Sequence, residues 1–174
     1  MNVQILDRGK DPDALLRLVA TQYPKAALRF LRPLADLLCV ARDACGGDFD
    51  KFLIMLAVAI RTTEHPLFAT YAQEELLDGT IPVFPSLGTN VRSVADSLGL
   101  PKETVRRKVG DLVDAGWIVR QGNELRFTDH AYRELAGARV GIERLAVRNF
   151  EVVADLIRKA SPPCPDGELR QACG

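Results

Sequence analysis

Two short amphipathic helices joined by a tight turn constrain the fold of this chain more than any other feature. The first helix places four apolar residues on one face: Val91, Val94, Ala95 and Leu98. The second has an inward face of the same kind: Val105, Val109, Leu112 and Val113. Asn90 or Thr89 can cap the first helix. Gly99 can end it, and Pro101 suits the start of the second. Helices joined by so short a turn cross steeply, which predicts a helix-turn-helix unit.

The second helix opens with a cluster of positive charge. Four basic side chains stand there against the single acid Glu103: Lys102, Arg106, Arg107 and Lys108. Packing the apolar face inward would leave this cluster exposed. Arginine can bind guanine through two hydrogen bonds, Thr104 can contact a base edge or a phosphate, and a helix N-terminus attracts phosphate. The pattern predicts that this helix enters the major groove of double-stranded DNA.

A small β-hairpin is predicted directly after the second helix. Two short β-prone runs lie on either side of Gly122 and Asn123, and a two-residue loop with glycine first is typical of a hairpin. Ile118 and Phe127 would pair on one face. At the tip, near a DNA backbone, the hairpin would carry two further cations, Arg120 and Arg126.

This order of turn, basic helix and hairpin resembles the winged helix-turn-helix of bacterial transcription regulators, broadly the MarR- and GntR-like families. The stretch SLGLPKETVRRKVGDLVDAGWIV carries the resemblance, which covers less than half of the chain. The resemblance implies these base- and phosphate-reading positions: Lys102, Thr104, Arg106 and Arg107, with Arg120 and Arg126 on the wing. Pro101 stands where those families usually have a serine or threonine cap, and the wing is short.

A second interpretation is a winged helix that binds a partner protein instead of DNA. The whole chain has a formal net charge of +0, so it has no general attraction to polyanions, and DNA binding would depend on local charge. From Asn90 to Thr128, seven basic residues stand against five acidic ones, which is a small excess. Glu103 inside the basic cluster also favours the protein-binding alternative.

Helical scaffold is predicted before this unit. Residues 12–22 can form a short helix, and residues 25–45 have helical periodicity with a kink or break at Pro33. Asp48 can cap a third helix over residues 49–62. That helix is apolar nearly all round, so we expect it to form the buried centre of the fold.

An insertion separates this scaffold from the helix-turn-helix. It spans residues 64–88 and includes a helix-like piece over 68–77 and a proline-broken run after it. Such a segment is long for a connector inside a compact domain, which suggests a role of its own. It could line a pocket for a small-molecule effector, form a subunit contact or cover the core as a lid.

A long C-terminal helix is predicted from Asp129 to about Ala160. Two heptad positions run along it: Ala131, Ala138, Leu145 and Val152 on one, and Leu135, Ile142, Asn149 and Leu156 on the other. A seven-residue repeat of this length is typical of a coiled-coil seam, in which an asparagine can fix the register. Leu135, Ile142, Leu145, Asn149, Val152 and Leu156 are therefore the predicted dimerisation residues. Alternatively, this face packs on the protein's own N-terminal helices with Asn149 at a wet edge, and we expect a mixture of both.

The predicted fold class is mainly α with a small β-hairpin wing, in which a winged helix-turn-helix is flanked by N- and C-terminal dimerisation helices. The predicted segments are a helical one at 1–48, the winged domain at 49–128, the long helix at 129–160 and a proline- and cysteine-containing tail at 161–174. A homodimer would place two recognition helices about one DNA turn, ~34–36 Å, apart.

No pattern in the sequence predicts catalysis, a cofactor or a metal site. The four cysteines form no CxxC pair and lie at no metal-ligand spacing from His65 or His130. Cys39 is expected in the core, whereas Cys164 and Cys173 lie in an extended tail, for which redox sensing is the alternative role. The N-terminus has no apolar signal-peptide region, and the apolar run at 52–60 is too short to span a bilayer. The expected location is cytoplasmic.

Overall fold

The computed structural model describes residues 12–160, which are mainly helical with one two-stranded antiparallel hairpin. The predicted combination of helices and a hairpin is therefore confirmed. The elements are α1 (Pro12–Ala44), α2 (Phe49–Thr63), a 3-10 turn (Phe68–Thr70), α3 (Val91–Leu98), α4 (Lys102–Asp114), β1 (Ile118–Gln121), β2 (Glu124–Phe127), α5 (Asp129–Glu134) and α6 (Ala136–Ala160).

The chain divides into two compact units. The first consists of the start of α1, up to Ala35, and the part of α6 from Glu143 onward; the second spans Asp36–Ile142. In the first unit Ala26 packs with Val152 and Leu156, flanked by the partly buried Leu18, Val19 and Phe30. The prediction of two N-terminal helices is wrong, because α1 continues through Pro24 and Pro33.

The core of the second unit forms around the inner face of α2. Ile54, Met55 and Val58 are fully buried there, and they cluster with apolar residues from α3, α4 and both strands: Val94, Val105, Val109, Ile118 and Leu125. The outer face of α2 is not covered, since Leu56 is 37% and Ile60 47% exposed. The helix therefore lies at the centre of the core as expected, but only one of its apolar faces is buried.

Helices α3 and α4 form as their sequence predicts. Asn90 caps α3, and its Oδ1 accepts a hydrogen bond from the Ser93 backbone N–H at 3.0 Å. Gly99 ends α3 in the left-handed region with φ of 64°, a conformation that glycine adopts without the cost of a Cβ. Pro101 lies just before the first residue of α4 and turns the chain into it.

The hairpin has the predicted register and turn. Ile118 pairs with Phe127, and Gly122 has φ of 61° in the two-residue loop between the strands. Arg126 lies opposite Val119, and Arg120 opposite Leu125. Since neighbouring residues of a strand point to opposite faces, the two wing arginines lie on opposite faces of the hairpin.

The insertion supplies part of the core. The fully buried Phe84 has ring-to-ring centroid distances of 5.9 Å to Phe68, 6.1 Å to Phe127 and 5.6 Å to Tyr132. Its backbone N–H donates to the Phe127 carbonyl at 3.0 Å. These contacts favour the core-covering role among the three expected for this segment. The helix-like piece predicted over 68–77 is reduced to the 3-10 turn and a run of turns over residues 73–77.

The predicted C-terminal helix is interrupted. Thr128 caps its first part, and the Thr128 Oγ1 accepts a hydrogen bond from the Ala131 backbone N–H at 3.1 Å. The chain then leaves the helical path at Leu135, and α6 begins at Ala136. Leu135 packs against two apolar clusters of the second unit, so side-chain packing accounts for a break that periodicity alone does not reveal.

Candidate nucleic-acid interface

Helix α4 has an inner face and an exposed face. Val105, Val109 and Leu112 are buried, whereas Lys102, Arg106 and Arg107 are exposed and Thr104 is half-buried. Within residues 12–160, no carboxylate lies at ion-pair distance from Lys102 or Arg107. These two cations are therefore available to an external anion.

Lys108 is not part of the exposed cluster, which corrects the sequence prediction. Its side chain is only 11% exposed, and its Nζ donates to Asp48 and lies 3.4 Å from Asp50 Oδ2. The helical spacing already indicates that Lys108 is not fully exposed. It is three residues after Val105 and one before Val109, on the flank of the inner face. Lys108 therefore fixes α4 to the start of α2 and is not a DNA-binding candidate.

A second ion pair supports the same junction. Lys51 Nζ lies 2.9 Å from Asp111 Oδ2, so each helix contributes one lysine to the carboxylates of the other. Burial raises the pKa of Asp48, but hydrogen bonds from Lys108 and from the Lys51 backbone outweigh it, and the net pKa is below its usual value. The hydrogen bond that Lys108 donates to Asp48 raises the pKa of Lys108 above its usual value. The junction is thus held by charged groups, none of which was predicted from the sequence as a contact.

Glu103 binds Arg106 on the exposed face of α4. Arg106 Nε donates to Glu103 Oε2 at 2.8 Å, and Nη2 donates to Oε1 at 2.5 Å. The hydrogen bond from Arg106 lowers the pKa of Glu103, so the carboxylate is charged at neutral pH. Arg106 is therefore oriented by a neighbour in the free protein, unlike Lys102 and Arg107.

The two wing arginines differ in availability. Arg120 is exposed near the hairpin tip. Arg126 is 24% exposed, its Nη2 donates to Glu124 at 2.6 Å, and its Nε is buried without a hydrogen-bond partner. Arg120 is the better candidate for a backbone phosphate, because Arg126 is held against the hairpin.

The six predicted dimerisation residues are not brought together on one exposed face. Val152 and Leu156 are buried within the first unit, against α1 of the same chain, which corrects their assignment to an intermolecular seam. Leu135 and Leu145 are half-buried, and Ile142 is 44% exposed. Asn149 is half-buried, and its buried Oδ1 has no hydrogen-bond partner. This is at odds with the predicted position at a hydrated edge. The heptad pattern of α6 identifies its apolar face but does not identify the helix that covers this face.

An apolar cavity of about 320 Å³ lies beside α2, within the second unit. Its lining includes Phe52, Met55 and Ile60 of α2, Phe68 of the insertion and Tyr132 of α5. Two hydroxyls at its wall already have hydrogen-bond partners within the protein. Thr62 Oγ1 donates to the Val58 carbonyl, and Thr63 Oγ1 donates to the Ile60 carbonyl. Arg139 lies over the Tyr132 ring, 4.2 Å from its centroid, and donates to the Tyr132 carbonyl.

The remaining sequence expectations concern cysteines, metals and membranes. Cys39 is exposed, which corrects its expected place in the core, while Cys45 is buried; Cys164 and Cys173 lie outside the described residues. Across residues 12–160 no group of three or more His, Cys, Asp or Glu side chains could hold a metal ion. Over the same span, no helix combines the length and hydropathy that crossing a membrane requires.

Comparisons with known proteins place the chain in no family. No family model matches it, and no curated protein and no solved structure is significantly similar to it. Function must therefore be argued from the geometry of α4, the hairpin and the cavity.

Proposed function

We propose that this protein is a sequence-specific DNA-binding transcription regulator that acts as a homodimer and inserts α4 into the major groove. The observation that carries the proposal is the two-sided character of α4. Lys108 and the apolar face fix the helix to the second unit, while Lys102, Arg106 and Arg107 remain exposed. A recognition helix needs this combination of a fixed position and exposed cations, because base contacts depend on geometry. The proposal includes a cytoplasmic location, where a bacterial regulator reaches the chromosome.

Each exposed group has a proposed role in the complex. Arg106 and Arg107 contact base edges, for which arginine has a suitable planar fork. Lys102 binds phosphate at the N-terminus of α4, where the helix dipole also favours an anion. Arg120 binds the flanking backbone from the wing. Thr104 is half-buried and contacts the side of the groove.

The test is selection of bound fragments from random DNA, followed by affinity measurements on the recovered site. Arg107→Ala should weaken specific binding by ~1–3 kcal/mol, which is about 5- to 150-fold. Lys102→Ala should weaken specific and random DNA alike and reduce the salt slope by ~1. Arg148→Ala is the control, since Arg148 is exposed on α6 and pairs with Glu151. If no sequence is enriched at moderate salt and a stoichiometric protein partner co-purifies, the protein-binding alternative replaces this proposal.

The proposed homodimer has a candidate surface in the first unit. Five large apolar side chains there are at least half exposed, although soluble monomers seldom expose large contiguous apolar surface: Leu28 at 75%, Phe150 at 73%, Leu16 at 67%, Val147 at 57% and Leu31 at 50%. Leu28 and Leu31 lie three residues apart in α1 and share a helix face, and Val147 and Phe150 do the same in α6. Phe150→Glu should convert the dimer to a monomer in sedimentation equilibrium, whereas Arg148→Glu should not. A monomeric wild-type protein would refute the homodimer.

A specific observation, the apolar cavity beside α2, favours regulation of this activity by a small molecule. Its volume of about 320 Å³ is at the lower end of the range for ligand sites. Because its hydroxyls and its arginine already have partners within the protein, we propose an uncharged, largely apolar effector. Indole and n-octanol serve as probes, and a bound probe should raise the melting temperature. Ala59→Leu should abolish the shift by filling the cavity, Ala146→Leu on exposed α6 should preserve it, and no shift for the wild type would refute the effector site.

A further inference from the structure

Glu103 lies on the exposed face of α4, beside two arginines. It lies three residues before Arg106 and four before Arg107, so one helical turn brings both arginines alongside it. It also lies in the first turn of the helix, where phosphate would otherwise be attracted. A first-turn acid is favoured by the helix dipole, but here it also opposes general phosphate binding.

The geometry of the Glu103–Arg106 pair leaves one edge of the guanidinium open. The carboxylate accepts from Nε at 2.8 Å and from Nη2 at 2.5 Å, which occupies the side edge of the guanidinium. Arginine has five N–H donors in a planar fork. The end edge, formed by Nη1 and the second N–H of Nη2, therefore keeps two parallel donors, and this is the arrangement that binds guanine O6 and N7.

We propose that Glu103 is a specificity-determining residue of the DNA interface: it positions Arg106 for one guanine in each half-site and disfavours phosphate contacts elsewhere. This inference rests on the proposed function. Glu103 acts on the base through Arg106, so it is a positioning residue. A tethered guanidinium has fewer orientations to lose when it meets the base edge, and the carboxylate repels backbone phosphates at positions where no base contact compensates.

Two measurable effects follow from removing the carboxylate. On random-sequence DNA, freed Arg106 gains a phosphate contact, so the slope of log K against log salt should steepen by ~0.9. On the selected site, the preference for one guanine per half-site should fall, from about 5- to 150-fold in the wild type toward equal binding of all bases, because that range corresponds to one good bidentate contact.

The experiment compares DNA selections by the full chain with the wild-type sequence and with Glu103→Gln, Glu103→Ala and Arg106→Ala. Asp114→Asn is the matched control, since it removes an exposed acid from the other end of the same helix. Both Glu103 variants should lose the preference at the base pair that Arg106→Ala also loses. Adding Glu103→Gln to Arg106→Ala should change no base preference further, because Glu103 acts on the base through Arg106. Asp114→Asn should keep every preference.

The outcomes separate this inference from the proposed function. A wild-type protein that enriches no sequence overturns the proposed function, and the role of Glu103 with it. A wild-type protein that enriches a site with the same base preferences as Glu103→Gln and Glu103→Ala overturns the role of Glu103 alone. Equal effects of Glu103→Gln and Asp114→Asn also overturn it, because bulk charge would then explain the change.

Discussion

Replacing Lys108 with methionine should lower the free energy of unfolding by about 2 kcal/mol, a value set between two known limits. Exposed ion pairs contribute ~0–1 kcal/mol, and removing one partner of a fully buried pair costs ~3–5 kcal/mol. Lys108 is 11% exposed, while its partners Asp48 and Asp50 are 31% and 40% exposed. The junction of α4 with α2 therefore lies between the two limits. Methionine preserves the packing of the lysine stem, so the loss reports on charge.

Urea unfolding followed by tryptophan fluorescence measures this loss. Trp117 is the only tryptophan of the chain and packs against the core of the second unit, so its signal reports on the unit that contains the junction. Asp48→Asn completes a double-mutant cycle, because asparagine also caps helices well and leaves the cap of α2 in place. Lys102→Met is the control and should change the free energy by less than about 0.5 kcal/mol.

The two pKa shifts at the junction predict how the effect of Lys108→Met on stability depends on pH. The pKa of Asp48 is below its usual 3.8, so its contribution is present above that pH and is lost as the pH falls through the lower folded value. The pKa of Lys108 is above its usual 10.5, so its contribution is present below that pH and is lost as the pH rises through the higher folded value. The difference between wild type and Lys108→Met should be constant between about pH 5 and 9. A difference below about 0.5 kcal/mol, or no coupling in the cycle, would refute this account of the junction.

Three further predictions concern single positions. Gly110→Ala should raise the free energy of unfolding by ~0.5–1 kcal/mol, since no atom lies within 4 Å of the added Cβ, and a lower melting temperature would contradict this. The hydrogen bond from Arg29 lowers the pKa of Asp155 to about 2, so Asp155→Asn should be less stable than wild type in thermal melts above pH 4, and the difference should shrink as the pH falls through about 2. Burial raises the pKa of Cys45 to about 11, so peptide mapping after brief iodoacetamide treatment at about pH 8 should find Cys39 modified and Cys45 protected; equal modification would contradict that.

The parts of the fold that the sequence predicts are those that neighbouring residues determine. Asn90 caps α3 and Gly99 ends it, as the chain pattern indicates, and Gly122 makes the hairpin turn that sets the pairing of Ile118 with Phe127. Each of these features depends on backbone geometry over a few residues. The sequence therefore contains all the information that they require.

Other features depend on contacts between residues far apart in the chain. The heptad pattern of α6 is the same whether its apolar face meets a second subunit or α1 of the same chain, so the burial of Val152 and Leu156 against Ala26 is not predictable from the period. Lys108 is a partial exception. Its position beside Val105 and Val109 indicated the inner flank, but only the fold reveals that Asp48 lies there to pair with it.

Helix α2 connects the two proposed activities. It begins directly after Asp48, which holds Lys108 of α4, and Phe52, one turn later, lines the apolar cavity. A ligand that shifts α2 would therefore move the junction that positions α4, and by linkage DNA would change ligand affinity by the same factor. Lys108→Met should weaken this coupling, while the Lys51–Asp111 pair and the apolar face still join the two helices. If indole alters DNA affinity equally in wild type and Lys108→Met, the coupling does not pass through this ion pair.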